Sequence, residues 1–259
     1  MSNSRDPDSP DGRAGAAMVV PSAAGGSRGS LDQRRVLGAA IEYIDKHGID
    51  DLTMRRLGRY LGVEAMALYR YVSSRDQLLD GVVETVIDEL YGDPDVHLQA
   101  SNGWQDYLQR LAHGVRRIAL AHPAVFPLVA TRPPSAPWIR PPLRSLRWIE
   151  SFLETMTSSG FSDELAIAAY RAYTSFLLGH LLLEVSQHGV PISSRDEPNP
   201  VSETEANLEG YPLVVRFESL LRQDESAAEF EEALESLLER LGLLLRQSQG
   251  PGTAGDGQR

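Results

Sequence analysis

The sequence predicts an all-α protein with a small N-terminal unit and a larger helical body, on three observations. Apolar residues recur at three- and four-residue spacing in most segments between residues 30 and 247, the period of a helix face. Two S-x-x-Q segments, Ser30-Leu31-Asp32-Gln33 and Ser74-Arg75-Asp76-Gln77, have the form of capping boxes that open helices. Between them, Leu52 to Leu79 parses as a short helix, a tight turn, a second short helix and the start of a third. Composition sets the bounds. With 259 residues and 42% hydrophobic content the chain can bury a sizeable core, and with no cysteine it forms neither disulfides nor thiolate metal sites. No apolar run approaches the ~18 to 20 residues of a membrane span. Ala14 to Val20 is weakly apolar but has acidic residues before it and glycine and serine after it, a poor signal peptide. The expected location is therefore cytoplasmic, with no membrane partner.

In chain order, residues 1–29 are rich in Ser, Asp, Gly, Pro and Ala without periodic apolar positions, the composition of a disordered arm. A passive tail is the simplest reading; the alternative is that Arg28, with Arg34 and Arg35, reaches DNA. The first capping box opens a helix to about His47, with Val36, Leu37, Ala40, Ile41 and Ile44 on its inner face and Gly48 ending it. In the next helix Met54, Leu57 and Leu61 share one face, and Gly62 supplies a permissive turn. The helix after it spans roughly Ala65 to Val72, burying Leu68 and Val72. From Leu52 to Arg75 five arginines stand against the single acid Glu64, a charge of +4, whereas Asp76 to the C-terminus sums to −13. A whole-chain charge of −11 thus hides a basic island, and cations at that spacing suit a helix-turn-helix on phosphates.

Leu31 to Leu79 resembles the DNA-binding domain of the TetR family of bacterial transcriptional regulators. The residues that carry the resemblance are Leu52-Thr53-Met54-Arg55, Leu61-Gly62-Val63, Leu68-Tyr69 and Leu78-Leu79. It continues through Trp104-Gln105-Asp106, Thr131-Arg132-Pro133, Gly160-Phe161-Ser162 and Leu178-Gly179, which are similar to a tetracycline-repressor-type C-terminal domain. The resemblance implies a DNA-binding domain over 30–75, an effector-binding and dimerisation domain over 76–247, and a disordered tail over 248–259. It implies that Met66, Ala67 and Arg70 face base edges and that Arg55 can reach them. A guanidinium can pair with guanine O6 and N7, which makes Arg70 the best reader of sequence. Thr53, Tyr69, Tyr71 and Arg75 would hold phosphates, which fixes register; Tyr69 could instead be core, and Arg56 and Arg59 solvated or paired.

The body follows the same period. A connecting helix runs from Ser74 to about Tyr91, and Trp104 to Ala121 is helical with Leu108, Leu111, Val115 and Ile118 on one face. His122 to Pro142 holds seven prolines and must be turns and broken helical pieces. Leu143 to Thr157 and Asp163 to about His188 are helices, the latter apolar almost all round. A polar loop over Pro191 to Gly210 precedes a last helix, about Glu225 to Arg246, with a seam of Phe230, Leu234, Leu237, Leu241 and Leu244. The resemblance implies that the two last helices pack on a second copy, giving a homodimer.

Candidate walls of an effector pocket are Trp104, Leu108, Leu111, Val115, Phe126, Arg132, Trp138, Trp148, Phe152, Tyr173 and His180, although core packing is a competing role for each. Against the tetracycline-repressor pattern, Thr131-Arg132-Pro133 is kept. The magnesium-holding imidazole is replaced by Leu128 and a polar amide by Leu111, which argues for a larger apolar or aromatic effector. His180, Glu184 and His188 share a helix face at metal-ligand spacing, but the family does not use them so, and neither metal nor cofactor is expected. The expected function is a sequence-specific transcriptional regulator. It would be a repressor released from a palindromic double-stranded DNA operator by a small-molecule effector. Alternatives are an activator, a DNA-binding protein of low sequence specificity, or an enzyme with a DNA-binding appendage. No G-x-S-x-G, P-loop, H-E-x-x-H or dinucleotide fingerprint supports the last.

Overall fold

Helix caps written into the sequence start most of the N-terminal elements. The computed structural model describes residues 31–93, 96, 102–132, 145–187, 208 and 210–249. Among these every regular element is a helix. Helix α1 (Gln33–His47) begins at Asp32, whose carboxylate accepts from the Arg35 backbone N–H at 2.8 Å. The cap is thus Asp32, two residues later than the S-x-x-Q pattern suggested, because an aspartate caps as well as a serine. Ser30 lies outside the described residues. The hydroxyl of Thr53 caps α2 (Met54–Leu61) by accepting from Arg56 N–H at 3.2 Å. Gly62 ends α2 with φ +71°, and the Val63 N–H reaches back to the Gly58 carbonyl at 2.9 Å, a Schellman-type closure.

Helix α3 is shorter than its sequence suggests. It covers Ala65–Leu68, and turn hydrogen bonds from Arg70, Tyr71 and Val72 back to Ala67 and Leu68 continue the chain. Leu68 and Val72 are buried as expected. Ser74 caps α4 (Arg75–Gly92) by accepting from Gln77 N–H at 3.1 Å, while the Gln77 side chain accepts from the N–H of Ser73, not of Ser74. The box is therefore shifted by one residue at its return bond. α4 is the structural centre: it packs on α1, α5 (Trp104–Ala121) and α6 (Phe126–Thr131). Seven of its side chains are buried, from Leu78 and Leu79 to Ile87 and Leu90, each contributing ~1.5 to 3 kcal/mol. Gly81 lets it approach α1 closely, since a Cβ there would stand 2.7 Å from a Leu37 methyl.

The body is built on α8 (Asp163–Gln187), which packs on α5, α6, α7 (Leu146–Ser158) and α10 (Ser226–Ser248). α6 is one of the broken pieces expected in the proline-rich segment; residues 133–144 lie outside the described set. One element was not legible: α9 (Pro212–Leu221) buries none of its residues. The seam of α10 also differs. Phe230, Leu234, Leu238 and Leu241 are its buried apolar residues, while Leu237 and Leu244 are only half-buried, because the helix period walks the contact one residue forward.

Candidate functional site

Two features stand at opposite ends of α4. At its N-terminal end lies the basic surface of α2 and α3. Arg55 and Arg59 are exposed on α2, Arg70 is exposed just beyond α3, and none of the three guanidinium groups has a hydrogen-bond or ion-pair partner among the described residues. Met66 is 75% exposed and Tyr69 43%, a pair of apolar side chains held in water on the segment that carries Arg70. Ala67 and Tyr71 are half-buried.

Other members of the basic island are engaged within the chain. Arg56 forms an ion pair with Asp51 and donates to the Asp51 carbonyl at 3.1 Å. Arg75 donates from Nε to the Leu52 carbonyl and from a terminal nitrogen to the Ile49 carbonyl, each at 3.0 Å. It therefore ties the first turn of α4 to the loop between α1 and α2, and has donors to spare for a phosphate. Thr53, placed on phosphates by the resemblance, uses one acceptor site of its hydroxyl on the α2 cap and stands at an exposed position.

At the other end α4 forms one wall of an apolar cleft. Val86, Ile87 and Leu90 of α4 face Val115, Ile118, Phe126, Val129, Ser145, Trp148, Thr174, Leu177 and Leu178. The space totals about 520 Å³ with its mouth, but only about 30 Å³ can take the centre of a water molecule. That is room for a water or two and no more. Of the residues anticipated for an effector wall, Val115, Phe126 and Trp148 line this cleft. Trp104, Leu108, Leu111, Phe152 and Tyr173 are buried among other core side chains instead. Trp104 packs edge-on to Phe161, and Tyr173 donates its hydroxyl to the Leu108 carbonyl at 2.6 Å. Trp138 lies outside the described residues. The α4 and α8 members were missed. The signal for them was present in α4, whose apolar positions Val82, Val83, Val86, Ile87 and Leu90 make a stripe too wide for one contact.

Charged groups join the body to α4 and α1. Arg132, anticipated as a pocket residue, reaches back to the start of α4. Its Nε donates to Asp80 at 2.5 Å, and a terminal nitrogen donates to the Asp76 carbonyl at 2.8 Å and to the Asp76 carboxylate at 3.3 Å. An arginine in this domain did need an anionic and a carbonyl partner, and both belong to the chain itself. His122, at the end of α5, meets Asp45 of α1 at 2.7 Å and Glu89 of α4 at 3.4 Å. Its hydrogen bond to Asp45, aided by the charges of Asp45 and Glu89, raises the imidazole pKa despite partial burial.

The helix face that carried His180, Glu184 and His188 is used for packing. His180 meets the Ser226 carbonyl at 3.2 Å and lies against Phe176 and Phe230. Glu184, 3% exposed, is gripped by Arg116 through Nε at 3.1 and 3.2 Å and a terminal nitrogen at 2.6 Å. His188 lies outside the described residues. No helix among the described residues is long and apolar enough to cross a membrane.

Residues 36–82 match the family model of bacterial regulatory proteins of the tetR family, and residues 98–244 match that of the tetracyclin repressor-like C-terminal domain. The tetracycline repressor protein class D of Escherichia coli is 30% identical over 210 residues, covering 80% of this chain and 88% of that one. Among solved structures, a possible TetR family transcriptional regulator from Streptomyces coelicolor A3(2) superposes with a TM-score of 0.66 at 26% identity, over 82% of this chain and 100% of that one. The TetR family protein ActR of Streptomyces coelicolor, solved in complex with actinorhodin, shares the fold with a TM-score of 0.62 at 24% identity, over 84% and 99% of the two chains.

Proposed function

The chain belongs to the TetR family of bacterial regulatory proteins, and from that membership we propose how it acts. It is a DNA-binding, ligand-responsive transcriptional regulator, and its sign of action is repression, as for the relatives named repressors. Two copies pair through α8 and α10. The outward face of α8 carries Ile167, Ala168, Ala172, Ser175, Gly179 and Leu183, and the apolar Ile167 (38% exposed) and Leu183 (62%) are unsuited to permanent solvent. Pairing sets two copies of α3 against successive major grooves of a palindromic operator.

In this reading Arg70 reads a guanine, Met66 and Ala67 offer apolar contact to a thymine methyl, and Arg55 reaches neighbouring base edges or phosphates. Thr53, Tyr69, Tyr71 and Arg75 hold backbone phosphates and fix the register. The observation that carries the proposal is the exposed Arg70, whose guanidinium has no partner among the described residues, four residues after the exposed Met66 in a helix-turn-helix whose first helix is capped by Thr53. Release of the operator begins in the cleft. An effector that enters it pushes on Val86, Ile87 and Leu90, tilts α4, and changes the separation of the two recognition segments. It acts only so far as it binds the tilted form more tightly than the DNA-bound form.

The test is binding of the purified chain to the DNA upstream of its own gene, against random DNA of equal length, across a salt titration. The expected result is a preference of roughly 10³-fold or more at physiological salt. Equal affinity for all fragments in a genome-wide selection, with one steep salt slope, would overturn sequence-specific regulation in favour of non-specific DNA binding.

A further inference from the structure

Three helices meet at one imidazole. His122 is the C-terminal cap residue of α5, and its ring stands between carboxylates on two other helices. Nδ1 lies 2.7 Å from Asp45 of α1, and Nε2 lies 3.4 Å from Glu89 of α4. Only the imidazolium has a proton on both nitrogens; a neutral ring donates from one and holds a lone pair on the other. A neutral His122 therefore bonds one of these carboxylates and turns a lone pair on the other. The surroundings decide which is kept. The second oxygen of Asp45 is buried without a hydrogen bond, and the imidazole is the one partner of that carboxylate among the described residues. Glu89 is 45% exposed and can turn to water at little cost. Losing the proton thus frees Glu89 and keeps Asp45, so α4 is released while α1 stays tied to α5. The nearby charged groups are otherwise engaged. Glu42 and Lys46 of α1 meet Tyr60, Arg117 of α5 pairs with Asp93, and Glu84 and Asp88 of α4 line a separate hollow with Ser145. α6 has no titratable side chain.

We infer that His122 is a proton-operated latch on α4: the imidazolium pins α4 to α1 and α5 in the arrangement described above, and the neutral ring lets α4 go. The inference rests on the reading of the chain as a DNA-binding regulator worked by tilting α4. With only about 30 Å³ open to the centre of a water, the cleft is closed to any ring compound, so this arrangement is the one that reading assigns to operator binding. A proton and an effector then act on one helix in opposite senses, each through its different affinity for the two forms. The hydrogen bond to Asp45 raises the imidazole pKa in the latched form; burial opposes it, and the charges of Asp45 and Glu89 add to it. The latched form is therefore favoured most below about pH 6.5, and the preference is lost as pH rises through the raised value. Operator affinity falls over the same range.

The test is the affinity of the full chain for the DNA fragment it prefers in the genome-wide selection, measured from pH 6 to pH 9 at fixed salt. The natural chain is compared with His122→Gln and Glu89→Gln, so that contributions from other histidines, His47 among them, cancel. The amide of the second variant accepts from the imidazolium or donates to the neutral ring, and it holds α4 in both states. Between pH 6 and pH 9 the natural chain should lose roughly 2- to 5-fold more affinity than either variant, the value of one partly exposed ion pair. Coincident pH profiles, or a natural chain that gains affinity relative to the variants as pH rises, overturn the inference and leave the regulator reading intact. If no fragment is preferred at any pH, the regulator reading fails, and hydrogen exchange of the α4 backbone amides without DNA decides the latch alone. The ratio of exchange rates in the natural chain to those in Glu89→Gln, taken at equal pH, should then rise from pH 6 to pH 9. A constant ratio overturns the latch.

Discussion

Around the turn between α2 and α3 the guanidinium groups of Arg55, Arg59 and Arg70 face solvent without a partner among the described residues. In the body Arg116 and Arg132 meet carboxylates at hydrogen-bond distance, Glu184 for one and Asp76 and Asp80 for the other. The residue type is the same, and the surroundings assign the role. A guanidinium already paired inside the chain contributes to the fold and gains little from DNA. One held out in water keeps all five donors for an external anion. Net charge alone could not draw this distinction, because it counts both kinds equally.

The contrast is broken most severely by removing a body arginine. Arg116→Ala leaves the Glu184 carboxylate buried without its partner, and the expected loss of stability is about 3 kcal/mol, at the low end for a buried pair because Arg116 keeps some solvent. Chemical denaturation measures it, and operator affinity of the folded protein should change little. Replacing the pair together, Arg116→Met with Glu184→Leu, should recover most of the loss. A double variant as unstable as the single one would mean that packing around Phe230, on which Arg116 also lies, matters more than the charge.

Arg70→Ala should do the reverse. Stability should stay within ~0.5 kcal/mol, as for an exposed side chain, while affinity for the preferred operator falls by ~1 to 3 kcal/mol. Random DNA should respond much less. Arg59→Ala sharpens the comparison: if its free guanidinium meets a phosphate, both DNAs should weaken alike and the salt slope fall by about one, and if it is only solvated neither should change. Equal loss on both DNAs for Arg70→Ala would move that residue from base readout to phosphate binding.

How far the sequence reveals each region follows from the range of the contacts involved. α5 is found at its expected ends, Trp104 and Ala121, because a periodic stripe between a glycine and a proline-rich segment is local information. The turn at Gly62 and the cap at Ser74 are local too. α9 was not legible because it buries nothing within the protomer, so no stripe of inward positions marks it. Arg132 shows the limit for sites. Its composition and neighbours suggest a pocket, but its partners lie 52 and 56 residues earlier in the chain, at the start of α4. Arg116 and Glu184 are 68 residues apart. Pairings of that kind emerge only when α4, α5, α6 and α8 come together.

A smaller effect is expected at Arg132, where the body grips the start of α4. In a double-mutant cycle of Arg132→Ala with Asp80→Ala the coupling should be about 0.5 to 1 kcal/mol, since Asp80 retains solvent contact. Operator binding by the Arg132→Ala protein should survive. A coupling near zero would make Arg132 a solvated arginine whose contacts carry no energy, and would return it to the effector site as a free cation.

The smallest effect is the most diagnostic of how the two regions are joined, because His122 touches α1 and α4 together through Asp45 and Glu89. The Asp45 hydrogen bond and the two carboxylate charges raise its pKa above the ordinary 6.5 in the folded chain. A raised folded pKa means that the folded state holds the proton more tightly than the unfolded state. The stabilisation is therefore fully present below about pH 6.5 and is lost as pH climbs through the raised value. For a partly exposed pair it amounts to ~0.2 to 1 kcal/mol. The difference in unfolding free energy between the natural chain and His122→Gln, measured from pH 6 to pH 9, isolates this imidazole from the other titrating groups. That difference should shrink steadily as pH rises. A difference that is flat, or that grows with pH, would mean that the imidazole sits at this junction as a neutral spacer and that Asp45 and Glu89 do not draw the DNA-binding helices onto the body through it.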